Sequence, residues 1–107
     1  MATGCLAVYV TMPDRKSADA FCRDLVRERY AACANITDNV SSIYWWDGAV
    51  QSEPECVCVF KTTESRFPAF LEKAKELHPY EVPCIVAWPL AGGNEAYFDW
   101  VRAETKI

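Results

Sequence analysis

The sequence predicts an α+β chain in which two β-α-β units share one antiparallel sheet. Three observations point there. Segments of apolar and β-branched residues alternate with segments whose apolar residues recur every three to four positions. Asp47-Gly48 stands between two strand-like runs, the strongest short signal for a tight hairpin. The chain has 107 residues, 51% of them hydrophobic, which suits one compact core and is read as a single domain over 1–107.

The elements follow in order. Residues 5–11, CLAVYVT, form an apolar run of β-formers that Met12-Pro13 ends. From Ser17 on, Ala18, Phe21, Cys22, Leu25 and Val26 fall on one helical stripe opposite Arg23, Arg27 and Glu28. Residues 31–37 return to strand, 40–50 carry the hairpin, and 55–63 form the return strand. A second helix is expected from about Glu64, with Phe67, Phe70, Leu71, Ala74 and Leu77 as its apolar stripe and Pro68 tolerable near the first turn. It must stop near His78, because the residue before Pro79 is pushed out of the α region. Residues 82–90 form the last strand, with Pro83 and Pro89 confined to its ends or to an edge. After Gly92-Gly93, Asn94 is an N-cap for a short helix bearing Tyr97, Trp100 and Val101. This β-α-β-β-α-β order, with right-handed crossovers and a terminal helix, is the ferredoxin-like plait.

Two helices cover one face of a sheet, yet these strands are apolar in both phases. Leu6, Val8 and Val10 oppose Tyr9, and Val57 and Val59 oppose Phe60. An open apolar face of that size implies association through the sheet, with the terminal helix at the same boundary. Tyr44, Trp45 and Trp46 are consecutive, so they point to alternate faces, and one core cannot bury all three. These residues, with Trp100, are the candidate interface.

The net charge of −4 comes without a basic cluster, which leaves no nucleic-acid footprint. No stretch is long and apolar enough for a membrane span, and the first residues lack a signal-peptide pattern, so a cytoplasmic protein is expected. Each of the six cysteines lies in an apolar, patterned stretch, and reduced thiols packed as small hydrophobes are expected. Cys56 and Cys58 share a strand face, as a soft-metal pair would, but no second pair stands at zinc-site spacing.

SIYWWDGAV, FKTT and LHPYEVPCIVAWPL, followed by GN and YFDWV, resemble the CutA family of divalent-cation tolerance proteins over about Leu6 to Thr105. AACANI and YVTMPDRKSADAF match the expected segments too. The resemblance implies a ferredoxin-like subunit in a tight homotrimer, with hairpin strands pairing across subunits and clefts between them. It also implies copper or other divalent-cation tolerance. Some members bind copper through cysteine and histidine, and animal relatives are linked to acetylcholinesterase anchoring. By position the motif histidine is His78, the aromatic Tyr80 and the acid Glu81. Two departures from the copper-binding bacterial pattern occur, since Val10 stands for a cysteine and Leu77 for the first of paired histidines.

His78 has two readings. Near the negative end of a helix dipole and before proline it is a helix stop, and with Glu81 and a thiol, Cys33 or Cys84, it is a metal ligand. Lys61, Glu53 and Tyr80, with Thr62, His78 and Glu81, form a polar set if subunit clefts gather them. No phosphate loop, nucleophile elbow or H-E-x-x-H helix is present, so a non-enzyme is expected. The resulting expectation is a trimer that binds divalent or soft metal ions, with no obligatory cofactor. A small-molecule-sensing or protein-anchoring trimer of PII-like architecture is the alternative, by fold analogy.

Overall fold

A computed structural model describes residues 2–106. The elements are β1 (Cys5–Met12), α1 (Arg15–Arg27), β2 (Cys33–Trp46), β3 (Ala49–Thr63), α2 (Phe67–Leu77), β4 (Ile85–Pro89) and α3 (Glu95–Glu104). The sheet order is β2-β3-β1-β4, with every neighbouring pair antiparallel. This is the plait that the period changes predict.

Alternation along the strands separates the two faces. Val8, Val10 and Met12 of β1 and Cys56, Cys58 and Phe60 of β3 meet α1 and α2 in the main core, where Ala18, Phe21, Cys22, Leu25, Phe70 and Ala74 fill the helix side. Phe60 sits edge-on to both Phe21 and Phe70, at 5.9 and 5.0 Å between ring centroids. The opposite face is covered at one end only. There α3 brings Phe98 and Val101 onto Cys5 and Ala32. Further along that face Tyr9 pairs with Trp88 at 6.2 Å, and Trp88 and Val86 remain exposed.

Several boundaries differ from those the sequence suggests. α1 starts two residues before Ser17, because Asp14 caps it by accepting the Ser17 N–H at 2.8 Å. α2 starts at Phe67 rather than Glu64, with Pro68 in the first turn where no N–H is needed. β4 is shorter than 82–90. The largest difference is the hairpin, where the runs 31–37 and 40–50 are one strand, β2, joined through an irregularity between Thr37 and Val40. Asn39 takes a positive φ of 58° there, a conformation that asparagine tolerates better than most residues. β3 likewise runs unbroken through the polar stretch 51–54. Beyond Met12 it has no β1 neighbour, so Pro54 costs the ladder little. The two strands therefore project as an arm, closed by Asp47 and Gly48 at φ 52° and 76° as a tight hairpin turn requires. The arm stretches the subunit to 44 Å along its long axis.

Candidate functional site

The loop from α2 to β4 crosses the end of β1. Pro79 forces His78 into an extended conformation, φ −75° and ψ 137°, after a last helical bond from His78 N–H to Ala74 O. The imidazole then swings over the strand end. Its Nε2 lies 2.8 Å from Thr11 O, and Tyr80 N–H donates to Nδ1 at 3.1 Å. Since Nδ1 accepts, the proton resides on Nε2, which donates to the Thr11 carbonyl. The ring is buried, edge-on to Phe21 at 5.5 Å and tilted against Tyr80 at 4.9 Å. Desolvation holds its pKa below the ordinary histidine value, outweighing the Thr11 carbonyl and the Glu55 charge, which act upward.

Tyr80 extends the network outward. Its hydroxyl donates to Glu55 Oε2 at 2.8 Å. Burial, that bond and the neighbouring charges at Glu55, Tyr44 and Glu53 push the phenol well above its usual range. The exposed Cys84 thiol is also raised, by desolvation first and by Glu55 second. Glu53 and Glu55, two apart on β3, share a strand face, and Glu81 is exposed in the loop. The arrangement is an acidic rim around a neutral, fully bonded imidazole. It offers no free base at His78, whose two nitrogens are both engaged.

The candidate residues do not gather in one place within the subunit. His78, Tyr80, Glu81 and Cys84 lie on the α2–β4 loop. Cys33 stands opposite Lys61, four residues along β3 from Val57, the partner of Thr11, or about 13 Å at the strand rise. Its thiol contacts the Tyr97 hydroxyl at 3.3 Å, and burial with that contact pushes Tyr97 up to about 12. Lys61 is eight residues from Glu53, about 26 Å along the strand, so the polar set is divided within one subunit. Among the described residues, no three His, Cys, Asp or Glu side chains converge as metal donors. Val10 and Leu77, where copper ligands of the bacterial pattern are absent, pack in or against the apolar core. Tyr44, Trp45, Trp46 and Trp100 are all exposed on the single subunit.

Sequence reasoning missed Glu55 and Asp38. Glu55 anchors Tyr80, and Asp38 binds Arg15 at 3.1 Å and accepts from Cys56 Sγ at 3.5 Å. The repeat Glu53-Pro54-Glu55 was the available signal, since alternate strand residues share a face.

A family model described as CutA1 divalent ion tolerance protein matches residues 6–104. The chain belongs to this family. The Thermus thermophilus divalent-cation tolerance protein CutA is 46% identical over 92% of this chain and 95% of its own length. Its solved structure superposes with a TM-score of 0.92, at 44% identity, over 95% of this chain and 99% of that one. CutA1 from Oryza sativa superposes with a TM-score of 0.94, at 36% identity, over 98% and 96%. Protein CutA from Homo sapiens is 38% identical over 94% of this chain but only 56% of its own length. The chain thus spans nearly all of the thermophile's CutA and about half of the human one.

Proposed function

We propose that this CutA-family protein is a cytoplasmic homotrimer that binds divalent or soft metal ions as an accessory to metal tolerance, without catalysing a reaction. The observation that carries this reading is the exposed Cys84 thiol within the influence of Glu55, with Glu53 next but one to Glu55 on β3 and Glu81 in the same loop as Cys84, in a divalent ion tolerance family. Thiolate suits copper(I) and zinc, and carboxylate suits harder divalent ions. One subunit supplies too few convergent donors, so the site is completed between copies, with Cys84 and Glu81 as its leading donors. His78 serves it by holding the loop, and it ligates only if Nδ1 exchanges the Tyr80 N–H for a metal. Cys33, about 13 Å along the sheet from the level of Thr11, joins only if a neighbouring copy brings it near. Six free thiols fit a reducing compartment.

The test is a competition titration of reduced, metal-free protein with Cu(I), Cu(II) and Zn(II) against a calibrated chelator, beside Cys84→Ser, Glu81→Gln and His78→Ala. A stoichiometric site weakened by at least tenfold in Cys84→Ser supports the proposal. Affinity no better than that of scattered surface side chains, or unchanged in every variant, overturns it.

A further inference from the structure

The acidic residues around Tyr80 stand where β1 ends. At the other end of β1, about 26 Å along β3 from Glu55, the turn between β3 and α2 and the end of α3 line an open cleft of about 610 Å³. That volume lies in the range of small-molecule sites. Its walls gather three cations, Arg66 from the turn and Arg102 and Lys106 from the end of α3, against one lining carboxylate, Glu64. We infer that this cleft binds a phosphate group, either free or carried by a small polar molecule.

The donors are held in place before any anion arrives. Arg66 Nε donates to Arg29 O at 3.1 Å, its Nη2 donates to Glu28 O at 3.4 Å, and its guanidinium lies 4.3 Å over the Tyr30 ring. All three partners are uncharged, so the positive charge of Arg66 stays available to an anion. Arg102 is fixed by Thr3 O at 2.7 Å and by Asp99 Oδ1 at 2.8 Å, and the carboxylate offsets part of its charge. Both forks keep N–H groups beyond those bonds. Lys106 is exposed and adds a mobile third charge.

The turn itself is fastened by Glu64 N–H to Gly4 O at 2.8 Å and by Arg66 N–H to Thr63 Oγ1 at 3.1 Å. The Thr63 and Ser65 hydroxyls are 3.3 Å apart, and with Thr63 as donor the exposed Ser65 O–H is left for a ligand. Thr105 supplies wall only, because its hydroxyl already donates to the Val101 and Arg102 carbonyls.

This set selects the ligand class. Three cations against one carboxylate leave an excess of two positive charges along the walls, which a phosphate monoester, close to a dianion at neutral pH, balances. Its oxygens accept from fork, ammonium and hydroxyl at once. Among the described residues no aromatic side chain lines the cleft, so a nucleobase finds no ring to stack on and the rest of the ligand is polar.

The test titrates the isotope-labelled full chain with inorganic phosphate, glycerol 3-phosphate and citrate, at constant ionic strength in a phosphate-free buffer, and follows the backbone amides. Saturable shifts centred on Gly4, Ser65, Arg66 and Lys106 are expected with both phosphates. Tighter binding of the ester identifies a phosphorylated small molecule as the ligand, and tighter binding of the inorganic ion identifies free phosphate. Lys106→Gln should weaken either by about tenfold, the loss of one charge-assisted contact, and Glu64→Gln should tighten it. Both side chains are exposed, so the fold is kept. A response that stays linear through the millimolar range, shifts centred elsewhere, citrate bound more tightly than both phosphates, or affinity unchanged in both variants overturns the inference.

Discussion

Replacing His78 tests whether the site is built on a structural clamp. The imidazole donates to Thr11 O at 2.8 Å and accepts from Tyr80 N–H at 3.1 Å, and it fills the space between Phe21 and Tyr80. In His78→Ala both partners lose their bonds, at about 1–3 kcal/mol for each group left unpaired, and the missing ring adds a void. The expected loss is about 3–5 kcal/mol, a large part of the roughly 5–15 kcal/mol of a typical domain. The pH dependence separates this clamp from mere packing. Above the ordinary histidine pKa of 6.5 neither state holds the proton, and stability is independent of this group. As pH falls below 6.5 the unfolded chain takes up a proton that the buried ring refuses, so stability declines by up to about 1.4 kcal/mol per pH unit. The decline levels off below the folded-state pKa. Protonation at Nδ1 also sets two N–H groups against each other at Tyr80. His78→Gln retains a donor and an acceptor but does not titrate, so it should recover part of the stability and flatten the pH response. Denaturant unfolding at fixed protein concentration, from about pH 8 to about pH 5, measures both effects. A loss below about 1 kcal/mol in His78→Ala, or an equal pH slope in His78→Gln, refutes the clamp.

Two further outcomes concern the surfaces around it. Trp45 and Trp46 are 74% and 59% exposed in the single subunit, and if the arm docks on other copies, Trp45→Ala or Trp46→Ala should weaken the assembly by about 3–5 kcal/mol. Sedimentation mass and thermal stability read this, and both unchanged in both variants would remove the interface proposal. Asn94→Ala deprives the Ala96 N–H of its side-chain acceptor at 3.0 Å and should cost about 1 kcal/mol, seen as a lower denaturation midpoint. No change in midpoint would show that α3 is held by Phe98 and Val101 alone.

The fold was legible because its signals are local. The switches between strand and helix periods, the Asp47-Gly48 turn, the His78-Pro79 stop and the Asn94 cap each depend on neighbours in sequence; the order of elements, the turn, the stop and the cap stand where they were expected, and only the element boundaries shift. What escaped depends on distant partners. The sequence leaves 51–54 outside both strand runs, and the structure carries β3 through them because β1 ends at Met12 and leaves that edge of β3 unpaired at Pro54. The role of His78 turns on a backbone carbonyl 67 residues away, and no side-chain pattern marks which carbonyl an imidazole will reach. Lys61 and Glu53 are expected to meet only if subunit clefts gather them, and within one subunit the extended rise of β3 separates them by about 26 Å.

The unfinished features of the subunit share a cause. One sheet face carries Trp88 and Val86 in the open beside a half-buried Tyr9, beyond the reach of α3, and the arm holds Ile43, Trp45 and Val50 away from its own core. Each tryptophan exposes apolar area that water penalises, at about 25 cal/mol per Å². The acidic rim has the matching deficit in donors, since carboxylates and a thiol are present but no three converge. A second copy seated on the bare face would relieve the first deficit through burial. If it also brings Cys84, Glu81 or Glu55 within reach of its own donors, it relieves the second. Metal affinity and assembly are then linked, and each must strengthen the other by the same free energy. A variant that dissociates the copies, Trp45→Ala for instance, should therefore lose metal affinity although its rim residues are untouched. Affinity retained by the dissociated subunit would show instead that the donors suffice within one chain.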